Sequence, residues 1–182
     1  TTPSGTGTLS VNNAAKSGAA ETAVTAATDI TGLYGTLNID TDGAYTYTVD
    51  NSNGTVNALR TSSNTLTDTF NYKVINSSAK VSESSLTVTV QGANDAPVAV
   101  ADTASAYEAG GVSNATAGSN PSGNLLSNDT DVDTGDGKSV TAFSTSGSSA
   151  GTLGAALTGT YGSLTVSSNG SYTYTVDNSN ST

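Results

Sequence analysis

Two stretches of this 182-residue chain have nearly the same sequence: residues 34–53 read YGTLNIDTDGAYTYTVDNSN, and residues 161–180 read YGSLTVSSNGSYTYTVDNSN. Thirteen of these 20 positions are identical at a constant offset of 127 residues. Chance does not produce such a match, so the chain contains a tandem array of one module. Because a period of 127 residues exceeds that of most solenoid repeats, we expect each module to be a self-contained domain.

Each copy of the repeat encodes a β-hairpin. Apolar and polar residues alternate up to Asp-Gly at 42–43 in the first copy and Asn-Gly at 169–170 in the second, and alternate again afterwards. A period of two is typical of a half-buried strand. Since both dipeptides tolerate positive φ angles, we predict a type I′ turn in each copy. Tyr45 and Tyr47 are predicted to point into the core.

The remaining apolar residues also follow short alternating patterns. These patterns predict strands over 65–76 and 85–91, a strand beginning at Val98 and Val100, weaker strands at 125–126 and 140–143, and one helical turn at Val56–Arg60. Many short strands separated by turn signals predict an all-β fold of antiparallel sandwiches. The lack of a sustained 3.6-residue pattern excludes helical and α/β folds.

Composition excludes several classes of function. The chain has no Cys, His, Met or Trp, which removes disulfides, thiol chemistry and any His-dependent triad. A net charge of −10 excludes electrostatic attraction to nucleic acid or anionic lipid. No apolar run approaches the length of a membrane span, so we expect no membrane insertion.

The Asp40–Asp42 pair and Asp68 are the candidate catalytic carboxylates of the sequence. Asp40 and Asp42 are a tempting glycosidase pair, but they flank a predicted turn and are typical turn residues. Asp68 lies on the apolar face of its predicted strand and has no catalytic partner. We predict that Asp68 accepts hydrogen bonds from nearby backbone groups or threonine hydroxyls, and that the protein is not an enzyme.

A boundary between modules is predicted at residues 93–97. Pro97 cannot donate a ladder hydrogen bond and holds the residue before it extended, which makes the linker short and stiff. Residues 1–92 are therefore assigned to the C-terminal part of one module, and residues 98–182 to the N-terminal part of the next. We expect both modules to be incomplete at the ends of the chain.

Acidic residues are concentrated around this boundary. Residues 81–137 contain no Lys or Arg but eight acids: Glu83, Asp95, Asp102, Glu108, Asp129, Asp131, Asp133 and Asp136. Carboxylates this close repel unless a cation neutralises them, and Ca²⁺, which takes roughly six to eight oxygen ligands, suits such a cluster. An EF-hand is excluded because Thr134 and Val140 stand where its glycine and final glutamate are required. The alternative is a solvated acidic loop.

Four motifs carry a resemblance to a known family: Tyr34-Gly-Thr-Leu, Thr65-Leu-Thr-Asp-Thr-Phe70, Gly92-Ala-Asn-Asp-Ala-Pro-Val98 and Asn128-Asp-Thr-Asp-Val-Asp133. They resemble VCBS repeats, the cadherin-like modules of large bacterial surface and RTX-type adhesins. The resemblance implies tandem immunoglobulin- or cadherin-like sandwiches and an extracellular location, on the bacterial cell surface or secreted. It also implies a part in cell adhesion or biofilm formation. The glycine-rich nonapeptide of RTX calcium rolls does not occur here.

The resemblance further implies where calcium would bind. It assigns ligand roles to the Asn94 carbonyl and to Asp95 in the linker, and to Asp131 and Asp133 in the second module. Glu108 resembles the early glutamate of such modules, which serves the far end of its own domain. Asp129 and Asp136 belong to the same acidic run and complete the predicted metal-ligand set.

The favoured function is a calcium-stiffened stalk module whose partners are neighbouring repeats of the same polypeptide. Two alternatives stay open. In the first, the chain is a self-assembling filament or surface-layer subunit, in which the strands at 65–76 and 85–91 of another copy complete the second module. In the second, it is a carbohydrate-binding module, which requires tyrosines on an exposed face. The sequence identifies no receptor or glycan.

Overall fold

The computed structural model describes residues 8–147 and 149–179. The chain divides into two compact units, and unit 1 ends at Asp95 while unit 2 begins at Ala96. The regular structure is almost entirely strand, and the strand pairs are antiparallel. The predicted all-β, antiparallel fold is confirmed. Among the described residues, no helix is both long and apolar enough to cross a membrane.

Unit 1 is a two-layered sandwich. Its described elements are β1 (Leu9–Lys16), β2 (Thr22–Ala23), β3 (Thr28–Thr31), β4 (Gly35–Ile39), β5 (Tyr45–Val49), the helical turn α1 (Gly54–Asn57), β6 (Thr65–Asn76) and β7 (Val81–Gln91). One sheet has the order β2-β1-β6-β7 and the other the order β3-β4-β5. The predicted strands at 65–76 and 85–91 are confirmed, although β7 begins at Val81. The predicted helical turn lies slightly earlier than expected, with Asn53 capping its first turn.

The two sheets of unit 1 share one hydrophobic core. Its buried members come from both layers: Val11, Ala14, Val24, Ile30, Leu37, Ile39 and Phe70. Phe70 on β6 is fully buried, and its ring meets the Tyr47 ring edge-on with the centroids 6.1 Å apart. Such an aromatic pair adds about 0.5–1.5 kcal/mol beyond its buried area. β6 therefore contributes the fully buried aromatic side chain of this core.

Strand β1 was not predicted, because a bulge disrupts its alternation. Its pairing with β6 shifts register between Val11 and Asn13. As a result Val11, Ala14 and Ala15 are buried, a spacing that does not follow the period of two. An extra residue in one strand of a pair re-aims the side chains beyond it.

Unit 2 is built on one sheet. Its described strands are β8 (Ser122–Asn124), β9 (Ala156–Thr158), β10 (Gly162–Val166) and β11 (Ser171–Val176), in the order β8-β11-β10-β9, and a short 3-10 turn lies at Val112–Asn114. The prediction of a strand that begins at Val98 and Val100 is wrong. Val98 makes one isolated bridge to Thr130, and both valines are about half exposed.

The strands predicted at 125–126 and 140–143 are also wrong. Residues 125–126 form a turn that follows β8. Residues 140–143 form no strand, whereas β1 is held in unit 1 by its long pairing with β6. An alternating pattern does not become a strand without a partner for its backbone groups.

The repeated segments fold alike in the two units. β3, β4 and β5 of unit 1 correspond to β9, β10 and β11 of unit 2, and the strand registers are the same at the offset of 127. The predicted type I′ turns are wrong. Only the glycines take positive φ, 88° at Gly43 and 84° at Gly170, and their N–H groups donate to the Asp40 and Ser167 carbonyls. This is the three-residue hairpin loop with a left-handed glycine at its end.

Candidate metal centre and a buried carboxylate

The acidic loop of unit 2 brings together three of the seven predicted metal ligands. The carboxylates of Asp131, Asp133 and Asp136 each place an oxygen within 4.8 Å of the other two. Asp133 is only 5% exposed, whereas the other two are half-buried. The sequence spacing that motivated the prediction therefore does produce a compact carboxylate cluster.

Backbone hydrogen bonds hold this loop in a tight turn. The Asp133 N–H donates to Oδ1 of Asp131 at 2.9 Å, and the Asp136 N–H donates to the Asp133 carbonyl at 3.3 Å. The Gly137 N–H donates to Oδ1 of Asp136 at 2.8 Å. Gly135 has φ of 78°, a conformation that glycine adopts without steric cost. The turn carries the chain back so that the third carboxylate meets the first two.

The three carboxylates place like charges in close proximity. Two like unit charges about 4 Å apart repel by about 1 kcal/mol in water. The repulsion is several times larger where the charges are partly buried, because the effective dielectric constant is lower there. Lys138 is the one Lys or Arg of residues 96–182, and its ammonium donates to the backbone carbonyls of Leu126 and Asp129. An all-oxygen donor set of this kind suits a hard divalent cation.

The cluster does not include Asp129 or Glu108, the other predicted ligands in unit 2. Oδ1 of Asp129 accepts the Val100 N–H at 2.8 Å. Glu108 lies beside the isolated bridge of Tyr107 to Ser119, in the N-terminal part of unit 2. Asn94 and Asp95 belong to the end of unit 1, where the Asn94 side chain donates to the Asp95 carbonyl at 2.5 Å. Metal binding by these four residues stays a prediction.

A second notable carboxylate, Asp68, lies inside unit 1. It is fully buried, and it accepts hydrogen bonds from the Leu33 N–H at 2.8 Å, the Tyr34 N–H at 3.0 Å and the Tyr47 hydroxyl at 2.6 Å. The prediction that backbone groups satisfy Asp68 is confirmed, with a tyrosine hydroxyl in place of the expected threonine. Asp68 ties β6 to the turn between β3 and β4.

These contacts determine the ionisation of both partners. Burial by itself would raise the pKa of Asp68, but the hydrogen bonds from Tyr47, Leu33 and Tyr34 and the charge of Lys16 hold that pKa below its ordinary value. Burial and the bond to Asp68 raise the pKa of Tyr47 well above the usual range. Asp68 is thus a charged structural group at neutral pH.

Two glycines that the repeat has in both copies are a sequence signal for the Asp68 site. Gly32 and Gly35, which flank the turn, have glycine counterparts at Gly159 and Gly162. A Cβ atom at Gly32 would lie 2.3 Å from Oδ2 of Asp68, and one at Gly35 would lie 2.6 Å from the Tyr47 hydroxyl oxygen. Gly32 is therefore required by the close approach of Asp68, and Gly35 by that of the Thr48 carbonyl together with the Tyr47 hydroxyl.

Tyr45 and Tyr47 were both predicted to point into the core, and the prediction is wrong for Tyr45. Tyr47 packs against the core as expected, but Tyr45 is 57% exposed. Among the strands that the structure describes, β5 is at the edge of its sheet in the order β3-β4-β5, and Tyr45 lies on this edge strand.

Comparison with known proteins gives one family. Residues 94–182 match the family model of the bacterial cadherin-like domain. This range contains unit 2 with all three clustered aspartates, and it supports a cadherin-like module for that part of the chain. A search of curated proteins found no match.

Proposed function

We propose that this chain is a calcium-binding, non-enzymatic stalk segment of a bacterial surface adhesin, built from cadherin-like modules in tandem. The observation that carries the proposal is the cluster of Asp131, Asp133 and Asp136, in which the central carboxylate is buried. The cluster lies within the residues that match the bacterial cadherin-like family. The 127-residue repeat supplies the tandem arrangement.

In this function the loop residues would hold Ca²⁺ through their carboxylate oxygens. The bound ion would neutralise the cluster and tie the two ends of the turn to each other, because Asp131 and Asp136 lie on either side of Gly135. A loop fixed in this way has fewer conformations, and a module with fewer flexible loops transmits force with less bending. The cation would thus stiffen unit 2.

Further ligands are proposed from the sequence resemblance. Asn94, Asp95 and Asp129 would be further calcium ligands, and Glu108 would be a ligand at the far end of its own module. Of these, Asp129 is nearest to the cluster in sequence, and its carbonyl already accepts the Lys138 ammonium. We propose the clustered aspartates as the primary ligands and the other four residues as secondary ones.

The biological setting is part of the same proposal. The four motifs that resemble VCBS repeats support an extracellular, surface-attached or secreted adhesin of the RTX type, with a part in adhesion or biofilm formation. Its immediate partners would be the neighbouring repeats.

Calcium titration of thermal unfolding tests this function. Binding to the folded state alone stabilises by about 2.7 kcal/mol when free Ca²⁺ is a hundredfold above Kd, which corresponds to a rise in Tm of roughly 15 °C for a unit of this size. The full chain should therefore unfold at a higher temperature in millimolar Ca²⁺ than in EGTA, and Mg²⁺ should have a smaller effect.

Two variants give this experiment its specificity. Asp133→Asn should abolish most of the calcium-dependent shift, because it removes the charge of the buried ligand. Asp102→Asn is the matched control, since Asp102 is an exposed acid of the same unit and lies outside the cluster. Equal unfolding temperatures in EGTA and millimolar Ca²⁺ for the unsubstituted chain would refute the calcium function.

A carbohydrate-binding module is the second candidate, because Tyr45 is exposed instead of buried. Tyr161 in unit 2 is also 62% exposed. Exposed aromatic rings are surfaces on which sugars stack. A glycan array probed with the full chain tests this candidate, with Tyr45→Ala as the variant that should lose any signal in unit 1.

A further inference from the structure

Asparagine followed by glycine occurs twice in the chain, at Asn53-Gly54 in unit 1 and at Asn169-Gly170 in unit 2. Asparagine is a thermally labile residue, because the next backbone nitrogen can attack its side-chain amide carbon. A glycine at the next position favours this attack, since it has no side chain to hinder the approach and rotates more freely than other residues. The chain therefore has two candidate positions for the same reaction, and their surroundings differ.

The nitrogen of Gly170 is engaged and covered. Its N–H donates to the Ser167 carbonyl at 2.9 Å, and the residue is buried. A Cβ atom at Gly170 would lie 2.6 Å from the Leu126 side chain. The Asn169 carbonyl accepts a hydrogen bond from the Asn124 side chain at 3.0 Å. The Gly170 nitrogen therefore reaches the Asn169 side chain only if the hairpin loop opens and loses its contacts with β8 and the turn after it.

The nitrogen of Gly54 is available. Gly54 is exposed, and a Cβ atom there would meet nothing within 4 Å. Among the described residues, no atom accepts a hydrogen bond from the Gly54 N–H. Attack at Asn53 thus breaks no bond of the attacking nitrogen, whereas attack at Asn169 must first break the bond from Gly170 to Ser167.

Closing a ring at Asn53 requires a local opening of the chain. The attacking nitrogen must rotate until it is eclipsed with Cβ of Asn53, and the observed ψ of 116° is far from that arrangement. The Asn53 side chain is held in α1, where it accepts the Thr55 N–H at 2.9 Å. Because α1 is a single turn of four residues, it has little cooperative stability. We therefore expect Asn53 to reach the reactive conformation more often than Asn169.

We propose that Asn53-Gly54 is a site of spontaneous deamidation, at which water converts Asn53 to aspartate or isoaspartate. Hydroxide takes the Gly54 N–H proton, the nitrogen bonds to Cγ of Asn53, and the side-chain NH₂ group leaves as ammonia with a proton from water. Water then opens the resulting succinimide ring. Addition at Cγ gives aspartate, and addition at the main-chain carbonyl carbon gives isoaspartate, in which the chain runs through Cγ. The site goes beyond the proposed calcium function and uses none of its residues.

The modification reaches the buried carboxylate of unit 1. Nδ2 of Asn53 donates to the Leu33 carbonyl at 3.1 Å, and the Leu33 N–H donates to Asp68 at 2.8 Å. Either product replaces the donating NH₂ group by a carboxylate, which repels the carbonyl oxygen, and isoaspartate also lengthens the main chain by one methylene carbon. We expect amide hydrogen exchange at Leu33 and Tyr34 to be about threefold or more faster in the deamidated chain.

Timed peptide mapping of the full chain tests the site. The chain is kept in mildly alkaline buffer with EGTA, and samples are digested with trypsin and analysed by mass spectrometry. Trypsin separates the two asparagines, because residues 17–60 and residues 139–182 are each released as one peptide. We expect Asn53 to lose its amide about tenfold or more faster than Asn169.

A variant taken from the repeat itself is the matched control. Gly54→Ser introduces the residue that stands at the corresponding position 181, and Gly54 has space for it. The added side chain hinders the attack, so the loss at Asn53 should slow about tenfold while the loss at Asn169 is unchanged. Asn51 and Asn57 lie in the same tryptic peptide but precede Ser and Ala, and they should keep their amides.

Four outcomes decide the proposal. Faster loss at Asn53 than at Asn169, with isoaspartate among the products, supports it. Equal rates at the two asparagines would overturn the selection by structure, and no loss at Asn53 while a free peptide of residues 50–57 deamidates would overturn the site. Aspartate as the only product, at the same rate in Gly54→Ser, would overturn the attack by the Gly54 nitrogen. All four are read in EGTA, so they do not depend on whether the chain binds Ca²⁺.

Discussion

The hairpin β4–β5 of unit 1 and the hairpin β10–β11 of unit 2 have the same register but different surroundings. In unit 1 the face of the hairpin is covered by β6, and Leu37 is fully buried. In unit 2 the edge of the hairpin is covered instead, because β8 pairs with β11. Within the described residues, the two copies therefore have different neighbouring strands.

Strand β8 of unit 2 packs beside the residue that corresponds to Tyr45, and this accounts for the different exposure of the two tyrosines. A Cβ atom at Gly123 of β8 would lie 3.0 Å from the Tyr172 ring, and one at Gly170 would lie 2.6 Å from Leu126. The counterpart of Tyr172 is Tyr45, which is 57% exposed. Beside Tyr45 a groove of about 240 Å³ reaches the side chains of Val11, Ile39 and Phe70.

Local sequence determines that the hairpin forms, whereas packing against other strands determines how far its side chains are buried. The hairpin forms in both units because its turn, glycine and alternating pattern act over a few residues. The burial of its side chains differs because burial depends on strands that are distant in sequence. Substitutions at equivalent positions should therefore have unequal effects.

The largest difference is expected between Leu37→Ala and Leu164→Ala. Removing a fully buried leucine costs about 2–5 kcal/mol, and less where the side chain is partly exposed. We expect the Leu37 variant to lie within this range and the Leu164 variant to lose less than half as much. Urea unfolding of the full chain measures both values. Equal losses would show that the two faces are equally buried.

Asp68→Asn should have the next largest effect. The substitution replaces a charged acceptor by an amide, whose NH₂ group faces donors, so we expect a loss of about 1.5–3 kcal/mol in the free energy of unfolding at neutral pH. Glu83→Gln, an exposed change on the neighbouring strand β7, is the matched control and should be near neutral. A neutral Asp68→Asn would contradict the role of Asp68 in holding β6.

The same aspartate predicts how stability depends on pH. Because the folded-state pKa of Asp68 lies below its unfolded value, the unfolded chain binds more protons in the acid range. The contribution of Asp68 is fully present above an unfolded pKa of about 3.9 and is lost as the pH falls through the folded pKa. Unfolding free energies measured from pH 7 down into this range should fall less steeply for Asp68→Asn. Parallel curves for the two proteins would refute this linkage.

Gly32→Ala and Gly159→Ala form the next matched pair. The methyl group at residue 32 would overlap the Asp68 carboxylate, and such overpacking costs about 1–3 kcal/mol. The methyl group at residue 159 has space, so its effect on the unfolding of the 182-residue chain should lie within about 1 kcal/mol of zero. Thermal unfolding of both variants tests this; a larger loss for Gly159→Ala would reverse the comparison.

The smallest difference is expected between Tyr47→Phe and Tyr174→Phe. Tyr47 donates to Asp68, so its hydroxyl should contribute about 1–2 kcal/mol. Tyr174 is the counterpart without Asp68 above it, and removal of its hydroxyl should change the free energy of unfolding by a few tenths of a kcal/mol. Denaturant unfolding under identical conditions compares the two. A loss for Tyr174→Phe as large as that for Tyr47→Phe would indicate an equally strong hydrogen bond in unit 2.

Much of the fold was predictable because its signals are local. The hairpins and β6 follow from alternation, and the structural role of Asp68 follows from a carboxylate placed on an apolar strand face. β1 was missed because a bulge changes its period. The prediction of a strand at Val98 was wrong because an alternating apolar pattern does not by itself supply a pairing partner. In the structure Val98 forms an isolated bridge to Thr130.

The site was predictable in part for a related reason. Asp131, Asp133 and Asp136 are close in sequence, and a turn at Gly135 is enough to bring them together. Asn94, Asp95 and Glu108 are distant in sequence from that turn, and spacing alone says nothing of where they lie in space. The proposed roles of these three residues come from the family resemblance alone.

Residue-resolved NMR of the ¹⁵N-labelled chain during a calcium titration tests whether Asp131, Asp133 and Asp136 form a calcium site. We expect saturable shifts at the amides of residues 131–137, with unperturbed amides in the core of unit 1, and loss of these shifts in Asp133→Asn. Shifts that are absent, or that spread evenly over exposed acids such as Asp29 and Asp102, would contradict a calcium site formed by Asp131, Asp133 and Asp136.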